Sequence, residues 1–421
     1  MLSADLGLHG GSLENVYWGL LIVTYPYISG LVAGSFVVAS LSHVFRLKLL
    51  DRIAPLALLV SFALLVTAPL TVLADARQPN NAFELFTRPH IPWSPLGDFT
   101  VIWLTYVVLM VVECYVAFRE RNVLRARETG WRARLAGWLA LGSEDLSGRA
   151  RRRDGRLLMG LSAFGILLAF LFHGYIGFVF GSLKARALWS TPLMPVLFIV
   201  SAMVSGVALM IVVYLAVSRF YHDPVDRKLL STLLNYLIGF LLLDAFLDVV
   251  DLVTSAISAY SPGPVSGGFV SVYLQGRFAL TYLGLQLGLG VVVPILLFLV
   301  PRIRRSLAGT VAIAIAVLMG VYAMRWNVVI GGQTVSKIST GHVAVSIPLT
   351  GFDSVQTVIG IYAIAFLVFL LLSWLLPWHT FEPGLGPAGQ SPGDVAEVPA
   401  GPVEVDQERK SALSGSHAVA R

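Results

Sequence analysis

The sequence is poor in cysteine and in charge. Cys114 is the single cysteine among 421 residues, so the chain cannot form an internal disulfide. A lone cysteine also excludes the paired-cysteine motifs that bind zinc, iron–sulfur clusters or covalently attached haem. Only 13% of the residues are charged, against about 25% in ordinary soluble domains. Any metal centre in a working complex is therefore expected to come from another subunit or from haem held by histidine, and the low charge argues against an ordinary globular domain.

Other common signals are missing as well. Residues 1–15 contain no lysine or arginine, so the chain lacks the basic start of a cleavable signal peptide. We therefore expect the first apolar segment to remain as a permanent helix. The sequence has no Gly-rich phosphate loop, no catalytic-triad motif and no zinc-ligand spacing.

What the sequence does contain is apolar residues in long runs. Hydrophobic residues make up 56% of the chain, and the mean hydropathy is +0.78. A soluble core of this size could not bury so much apolar surface, whereas helices in lipid need not bury it. The sequence therefore predicts an all-α integral membrane protein with about nine transmembrane helices. The predicted spans are 16–42, 54–74, 98–118, 157–182, 193–217, 229–259, 273–300, 307–324 and 355–376.

The basic residues predict the orientation. Of the 30 lysines and arginines, 23 fall in alternate connections and in the C-terminal tail, and such residues concentrate on the cytoplasmic side. This pattern places the N-terminus in the periplasm and the C-terminus in the cytoplasm, across a bacterial inner membrane. If the weak span 307–324 did not cross, the orientation would change. The basic runs within 119–156 then face anionic lipid rather than nucleic acid.

A weak duplication predicts how the spans are grouped. The segments "YPYISGLVAGSFVVA" and "VLFIVSAMVSGVALM" both place small residues four apart, a spacing that lets helices approach closely in lipid. We expect two four-helix bundles plus an extra helix. The predicted parts are a periplasmic N-terminus (1–15), a first bundle with a quinone pocket (16–182), a second bundle (183–324), an outer loop (325–354), a final transmembrane helix (355–376) and a disordered cytoplasmic tail (377–421).

Acidic residues inside the spans are the main functional signal. In "LLLDAFLDVVDLV", Asp244, Asp248 and Asp251 are spaced to share one helix face. Each would cost about 2.5–3.5 kcal/mol near the bilayer centre, so we predict that they form a proton path together with Glu113. Simpler explanations are that Glu113 pairs with Arg119, that Asp251 reaches interfacial water, and that the others only pack.

Further polar groups gather towards the predicted outer side. Asp75 ends the second span, and His173 lies in the outer half of the fourth. Histidine, tyrosine and aspartate can exchange protons with a redox quinone, but a transporter would also use a carboxylate in the membrane. Asp75 could instead cap a helix, and His173 could be a hydrogen-bonded core residue.

Several motifs carry a family resemblance. The segments "YPYISGLVAGS", "ADARQPNNAFELFTRPHIPWSP" and "RALWSTPLMPVLFIVSAMVSG" resemble the NrfD/PsrC family, the membrane subunits of polysulfide-reductase-like complexes. The segment "RWNVVIGGQTVSKI" is similar to its longer branch, with the DsrP- and HybB-type subunits. The likeness covers roughly residues 16–376. One departure is Ala76, where the family motif usually has leucine.

The resemblance implies a site and partners. It implies menaquinone or ubiquinone bound near the outer face, no haem or iron–sulfur cluster in the chain itself, and a periplasmic ferredoxin-like iron–sulfur subunit with further redox subunits. The quinone-binding residues that we predict on this basis are His173, Asp75, Tyr27, Tyr106, Arg77 and Trp93, although the tryptophan could equally belong to an interfacial aromatic belt. We expect the segment 326–337 to be a non-helical outer loop in which Gly331 and Gly332 allow a sharp turn. Together with residues 77–97 it would form the platform for partner docking, through Arg88, Arg325, Asn327 and Gln333.

The predicted function is therefore a quinone-interacting membrane anchor of a respiratory complex, which also conducts protons. A proton-coupled secondary transporter that uses the same carboxylates is one alternative. A purely structural anchor, with the quinone bound elsewhere, is the other.

Overall fold

Prolines and serines mark where the long helices begin. In the computed structural model, proline occupies the first or second helical position of the helices that start at Ala54, Pro69, Pro95 and Met194. Proline is tolerated there because the missing N–H has no intrahelical partner at a helix start. Serine side chains cap four helices by accepting a backbone N–H: Ser94, Ser147, Ser306 and Ser354. Local chemistry therefore defines most of the helix starts.

The structure describes residues 3–4, 18–76, 79–184, 186, 188–189, 191–259, 270–274, 276, 278–334 and 345–379. The α-helices are α1 (Leu20–Val44), α2 (Ala54–Thr67), α3 (Pro69–Asp75), α4 (Glu84–Thr87), α5 (Pro95–Ala126), α6 (Trp131–Leu139), α7 (Gly148–Gly181), α8 (Met194–Tyr221), α9 (Arg227–Ala259), α10 (Val293–Leu299), α11 (Pro301–Arg304), α12 (Leu307–Trp326), α13 (Gly332–Thr334) and α14 (Val355–Leu375). A 3₁₀ turn covers Pro79–Asn81, and π-helical segments cover Val270–Leu274, Leu280–Val292 and Asn327–Gly331. Two short antiparallel strands, β1 (Ser3–Ala4) and β2 (Ile347–Pro348), pair Ser3 with Pro348 and Ala4 with Ile347.

The prediction of an all-α membrane protein is confirmed. Within the described residues, eight helical segments are long and apolar enough to cross a membrane. They correspond to eight of the predicted spans, and the remaining one is α9, a helix of 33 residues. The second span is made of α2 and α3, which meet at Pro69. The grouping into the predicted domains stays a prediction.

One predicted boundary is wrong. The span expected to end at residue 324 continues without a break through the segment Asn327–Gly331 and α13, so that a 28-residue helical unit runs from Leu307 to Thr334. The expectation that 326–337 is non-helical therefore fails over 326–334, while residues 335–344 lie outside the described residues. The predicted N-terminal segment and tail also lie largely outside them.

Helix α1 is at the centre of the packing. Nearly all of its most apolar stretch is buried, and it contacts α2, α7, α8 and α12. By contrast, α14 is mostly exposed and packs mainly against α2. In lipid, exposed apolar side chains are expected on such peripheral helices, because the surrounding solvent is itself apolar.

Glycines allow two of these contacts to be very close. Gly34 of α1 lies against the backbone of α8 at Gly206, and a Cβ added to either residue would collide with the other helix. Gly290 and Gly320 make the same kind of contact between the segment Leu280–Val292 and α12. The small residues noted in the first and fifth spans thus pack against each other.

Candidate functional site

Arg325 connects three helices inside the bundle. Its side chain is fully buried, with 0% of its surface exposed. Its Nη2 donates hydrogen bonds to Nε2 of His173, at 3.0 Å, and to Oγ of Ser201, at 2.6 Å. The guanidinium carbon also lies 4.0 Å from the ring centre of Phe198, close enough for a cation–π attraction. Helices α7, α8 and α12 therefore meet at one buried cation.

The contact with Arg325 determines which nitrogen of His173 carries the proton. A guanidinium has only donors, so Nε2 of His173 must accept. The ring is therefore neutral with its proton on Nδ1, which lies 3.2 Å from Oγ of Ser29 and donates to it. His173 is 1% exposed. Because both of its nitrogens are occupied, the imidazole in this arrangement holds helices together and is not free to give a proton to a ligand.

A second cluster of polar side chains surrounds two of the aspartates of α9. Asp244 and Asp248 are 7% and 8% exposed, as expected for residues that face the interior. Gln286 lines the same small cavity as the two aspartates, and its Oε1 accepts from Nδ2 of Asn327 at 2.9 Å. Because Oε1 is used in this way, Nε2 is the atom of Gln286 that can donate towards Asp248. Oγ1 of Thr281 in turn donates a hydrogen bond to Oδ1 of Asn327, at 2.6 Å.

Asp251 lies one turn further towards the predicted outer end. It is only partly buried, and its carboxyl group interacts with Thr191 in the connection before α8. The role of the three aspartates in proton movement stays a prediction. Their burial on one face agrees with the spacing that suggested it.

Glu113 belongs to a separate cluster in α5 and α7. It is 1% exposed, and its Oε1 accepts a hydrogen bond from Oγ of Ser162 at 2.6 Å. Arg119 does not pair with it, because Nε of Arg119 donates to Oδ2 of Asp154 at 2.6 Å. The simple explanation that Glu113 is an ion-pair partner of Arg119 is therefore wrong.

An apolar cavity opens at the end of the bundle that carries residues 79–94, which the predicted topology places outside. Its volume is ≈ 420 Å³. The ring of Tyr25 lines it and makes an edge-to-face contact with Phe99, with 5.6 Å between the ring centres. Nε1 of Trp103 is already engaged by the carbonyl of Leu65, at 3.1 Å. The lining residues are Tyr25, Pro69, Val72, Leu73, Ala76, Asn81, Ala82, Leu85, Phe86, Leu96, Phe99, Thr100 and Trp103.

None of the predicted quinone residues that the structure describes lines this cavity. Asp75 comes closest in sequence, since the next residue, Ala76, is part of the lining. The hydroxyl of Tyr27 donates to the carbonyl of Leu318 at 3.2 Å, away from the cavity. Arg77 lies outside the described residues.

The two remaining aromatic predictions lie in opposite environments. Tyr106 is 0% exposed and packs edge-on against Phe36 and Phe172. Trp93 is 87% exposed on the loop before α5. Neither is close to His173 in the hydrogen-bond network, so the structure does not bring the predicted quinone residues together as one site.

The predicted docking residues divide in the same way. Arg88 is exposed on the segment 79–94 before α5, but Arg325, Asn327 and Gln333 are buried in the helical unit that ends at Thr334. Nε2 of Gln333 donates to the carbonyl of Trp18, at 2.8 Å, and so fastens the start of α1. The expectation that these three side chains form an exposed docking platform is therefore wrong.

The error came from two glycines. Gly331 and Gly332 suggested a sharp turn, but they lie in the helical unit beneath two aromatic rings. The ring of Tyr273 packs on Gly331, and the indole of Trp189 packs on Gly332. Glycine is needed here because an aromatic ring approaches the helix backbone closely.

Sequence reasoning also missed some members of the buried network. The role of Ser201, Gln286 and Tyr25 was not predicted, because isolated polar residues in an apolar span carry no spacing signal. Arg325 did carry one. It follows an unbroken apolar run, and "WNVVI" follows it, so it stood inside a hydrophobic segment and not at its edge.

Comparison with known proteins gives a consistent result. The family model described as polysulphide reductase, NrfD, matches residues 10–337. This match includes α1 to α13 and therefore both polar clusters and the apolar cavity.

Three curated relatives are subunits of redox enzymes. The chain is 31% identical over 322 residues to a selenate reductase subunit of Mesobacillus selenatarsenatis, covering 74% of this chain and 73% of the relative. It is 30% identical over 317 residues to a putative dimethyl sulfoxide reductase membrane subunit of Halobacterium salinarum, covering 75% and 69%. It is 25% identical over 405 residues to the Hdr-like menaquinol oxidoreductase integral membrane subunit of Archaeoglobus fulgidus, covering 91% and 90%. With its buried polar clusters, its apolar cavity and a family match over most of its length, the chain belongs to the NrfD polysulphide reductase family.

Proposed function

We propose that this chain is the quinone-interacting membrane subunit of a respiratory redox complex. We further propose that menaquinone or ubiquinone binds in the apolar cavity lined by Tyr25 and Phe99. The observation that carries the proposal is the cavity itself, which opens beside the segment 79–94 and is bordered by the end of α3 that carries Asp75. A relative of nearly equal length is named as a subunit of a menaquinol oxidoreductase.

The lining of the cavity suits a quinone. Small-molecule sites usually have volumes of ~300–1,000 Å³, apolar walls and a few polar groups, and ≈ 420 Å³ lies in this range. Aliphatic residues of α3 and the ring of Phe99 would contact the quinone ring and the start of its isoprenoid tail. The hydroxyl of Tyr25 would donate a hydrogen bond to a ring oxygen.

The residues around the cavity would handle protons. A quinone exchanges two electrons and two protons with its surroundings at its ring oxygens. Asp75, at the end of α3, is half-buried and next to a lining residue, so its carboxyl group would exchange protons between the ring oxygen and the outer water. Tyr25 would orient the ring, and the apolar lining would keep other water away.

The electrons would come from or go to a partner at the same end of the molecule. The segment 79–94 presents a mixed basic and apolar surface that suits protein docking. Its exposed side chains include Arg88, Phe83, Ile91 and Trp93. We propose that a periplasmic ferredoxin-like iron–sulfur subunit binds there, with further redox subunits. Its cluster would then lie close to the cavity opening.

Filling the cavity should test this assignment. In the intact complex, Ala82→Trp places an indole in the cavity and should raise the KM for a short-chain menaquinol analogue by about tenfold or more, equivalent to about 1.4 kcal/mol of lost binding. Tyr25→Phe removes a single hydrogen bond and should raise KM about two- to tenfold. Dye reduction by the quinol analogue would be measured at equal complex concentration.

A second cavity supplies the matched control. A groove of ≈ 450 Å³ between α2, α8 and α14 has a similar volume, and Ala216 lines it. Ala216→Trp should leave the KM for the quinol analogue unchanged. A rise with Ala216→Trp but not with Ala82→Trp would move the site to that groove. A rise with Tyr27→Phe alone would favour the position predicted from the sequence.

A further inference from the structure

A small cavity lies between the cluster around Arg325 and the cluster around Asp244 and Asp248. It has a volume of ≈ 10 Å³, about the minimum that holds a single water molecule. It is formed where α8, α9, the segment Leu280–Val292 and α12 meet. The residues that line it are Ser201, Leu241, Asp244, Asp248, Gln286, Gly290, Val291, Gly320, Val321 and Met324.

One carboxylate oxygen at this cavity has no partner. Oδ1 of Asp244 is buried without a hydrogen bond to any described residue. Such groups in folded proteins are normally satisfied, often by an ordered water. Oγ of Ser201 offers a second contact, because its own proton goes to the carbonyl of Leu197, at 2.7 Å, and Arg325 uses only one of its two lone pairs.

Arg325 also lacks a direct counter-charge. In the described part of the chain, no carboxylate lies within 4.0 Å of its guanidinium. Its Nε is buried without a hydrogen-bond partner among the described residues. A buried charge of this kind is costly unless an opposite charge lies nearby, and the carboxylates that act on it electrostatically are those of Asp244 and Asp248.

The charges then do not balance unless one proton is added. One guanidinium compensates one carboxylate, whereas two buried carboxylates next to each other repel. We propose that the cavity binds one water molecule and that Asp244 and Asp248 together hold one exchangeable proton, whose presence is set by the charge of Arg325. The water joins Oδ1 of Asp244 to Ser201 and thereby to the guanidinium. The proton belongs to the pair and not to one residue.

Other groups also face this pair. Asp251 and Tyr282 interact electrostatically with Asp248, and Tyr27 interacts with Arg325 from α1. His173 contacts Arg325 as a neutral ring and adds no charge. With the tyrosines neutral, Asp251 is the remaining negative charge near the pair, and its position in contact with Thr191 nearer the outer end leaves the balance at the cavity to Arg325.

This inference does not depend on quinone binding. It assigns Arg325 as a positioning residue, because it acts through the water and Ser201 and not on a substrate. The charge of Arg325 and the proton on the aspartate pair influence each other. The free energy by which the charge changes proton binding therefore equals the free energy by which the proton changes the ionisation of Arg325. His173 is bonded to the same guanidinium, so the proton content of α9 is coupled to α7.

Infrared difference spectroscopy on the intact complex can count the proton. The wild type should show the carbonyl stretch of one protonated carboxyl, shifted in D₂O, and this band should disappear in both Asp244→Asn and Asp248→Asn. Arg325→Gln should double the area of the band, because without the guanidinium both carboxyls are protonated. Arg325→Lys keeps the charge and should retain the wild-type area. Glu113→Gln identifies the separate band of Glu113.

A pair of serines on α8 tests the water. Ser201→Ala removes a contact of the proposed water and should shift the frequency of the band. Ser205→Ala is the matched control, because Ser205 is one turn away, equally buried, and hydrogen-bonded only to the carbonyl of Ala202 among the described residues. It should leave the band in place. Equal shifts in both variants would exclude the water from the cavity.

Other results would overturn the proposal directly. A wild-type protein without a protonated aspartate, or with two, would contradict the shared proton. Replacement of potassium by sodium in the buffer tests a bound cation, and loss of the band with proton release on adding sodium would identify a sodium site instead. Quinol turnover is not part of these measurements, so an altered KM from the Ala82→Trp experiment would neither support nor weaken them.

Discussion

Arg119 and Arg325 are both buried arginines, but their surroundings differ completely. Arg119 is 2% exposed, and its donors reach the carboxylate of Asp154, Oγ of Ser143 and the backbone carbonyl of Asp145. Arg325 is 0% exposed, and its hydrogen bonds to oxygen and nitrogen go to neutral partners. One cation is compensated by direct contact, and the other is compensated at a distance.

The difference separates a structural charge from a responsive one. A guanidinium in contact with a carboxylate fixes two elements together, here the C-terminal part of α5 and the N-terminal part of α7. A guanidinium that lacks such a contact leaves its counter-charge able to bind or release a proton. The following three predictions test this contrast.

The largest effect is expected at the direct ion pair. Asp154→Asn leaves Arg119 buried without a counter-charge and should lower the free energy of unfolding by about 3 kcal/mol. Unfolding of the detergent-solubilised protein by a denaturing detergent would measure it. The nearby pair of Arg151 and Glu120 is partly exposed, so Glu120→Gln should cost less than about 1 kcal/mol. Similar losses in the two variants would contradict the structural role of Arg119.

A smaller effect on stability is expected at the other arginine. Arg325→Met leaves Nε2 of His173 and Oγ of Ser201 without a donor but also removes a buried charge. The net loss should be about 1 kcal/mol, less than half that of Asp154→Asn in the same assay. An equal or larger loss would show that Arg325 makes a direct ion pair in the membrane.

The smallest effect is expected at Asp145, whose backbone carbonyl contacts Arg119 and whose side chain is exposed. The backbone N–H of Ser147 donates to Oδ1 of Asp145 at 2.8 Å, and hydrogen bonding with Ser147 holds the pKa of the Asp145 carboxyl below its ordinary value. A lowered pKa contributes stability above the pKa of the unfolded chain and loses it as pH falls through the folded value. The unfolding midpoints of wild type and Asp145→Asn should therefore differ at neutral pH and converge in acid. A difference independent of pH would contradict this.

Much of the fold could be predicted from the sequence, because the bilayer allows few structures. Long apolar runs can only be helices there, so the spans followed from hydropathy. The break at Pro69 and the serine caps were local features of the same kind. The end of α12 could not be predicted in this way. Gly331 and Gly332 indicate a turn by composition, and only the tertiary contact with Tyr273 and Trp189 shows why glycine is there.

The site was less predictable for a related reason. The spacing of Asp244 and Asp248 indicated a shared face, and their burial agrees with it. The partner of that pair lies on another helix, and no spacing rule connects residue 244 to Arg325. His173 stood out as a histidine in an apolar span, but its bond to a guanidinium depends on how α7 meets α12. Sequence patterns report one helix at a time, whereas this network uses several.

The contact between Gly34 and Gly206 limits how the molecule can move. The backbones of α1 and α8 touch there without any side chain between them, so neither helix can shift by a turn without driving a larger residue into the seam. A carrier that alternates between two openings must part its halves along such a seam. Here the main chains themselves meet, which opposes any sliding of α1 against α8.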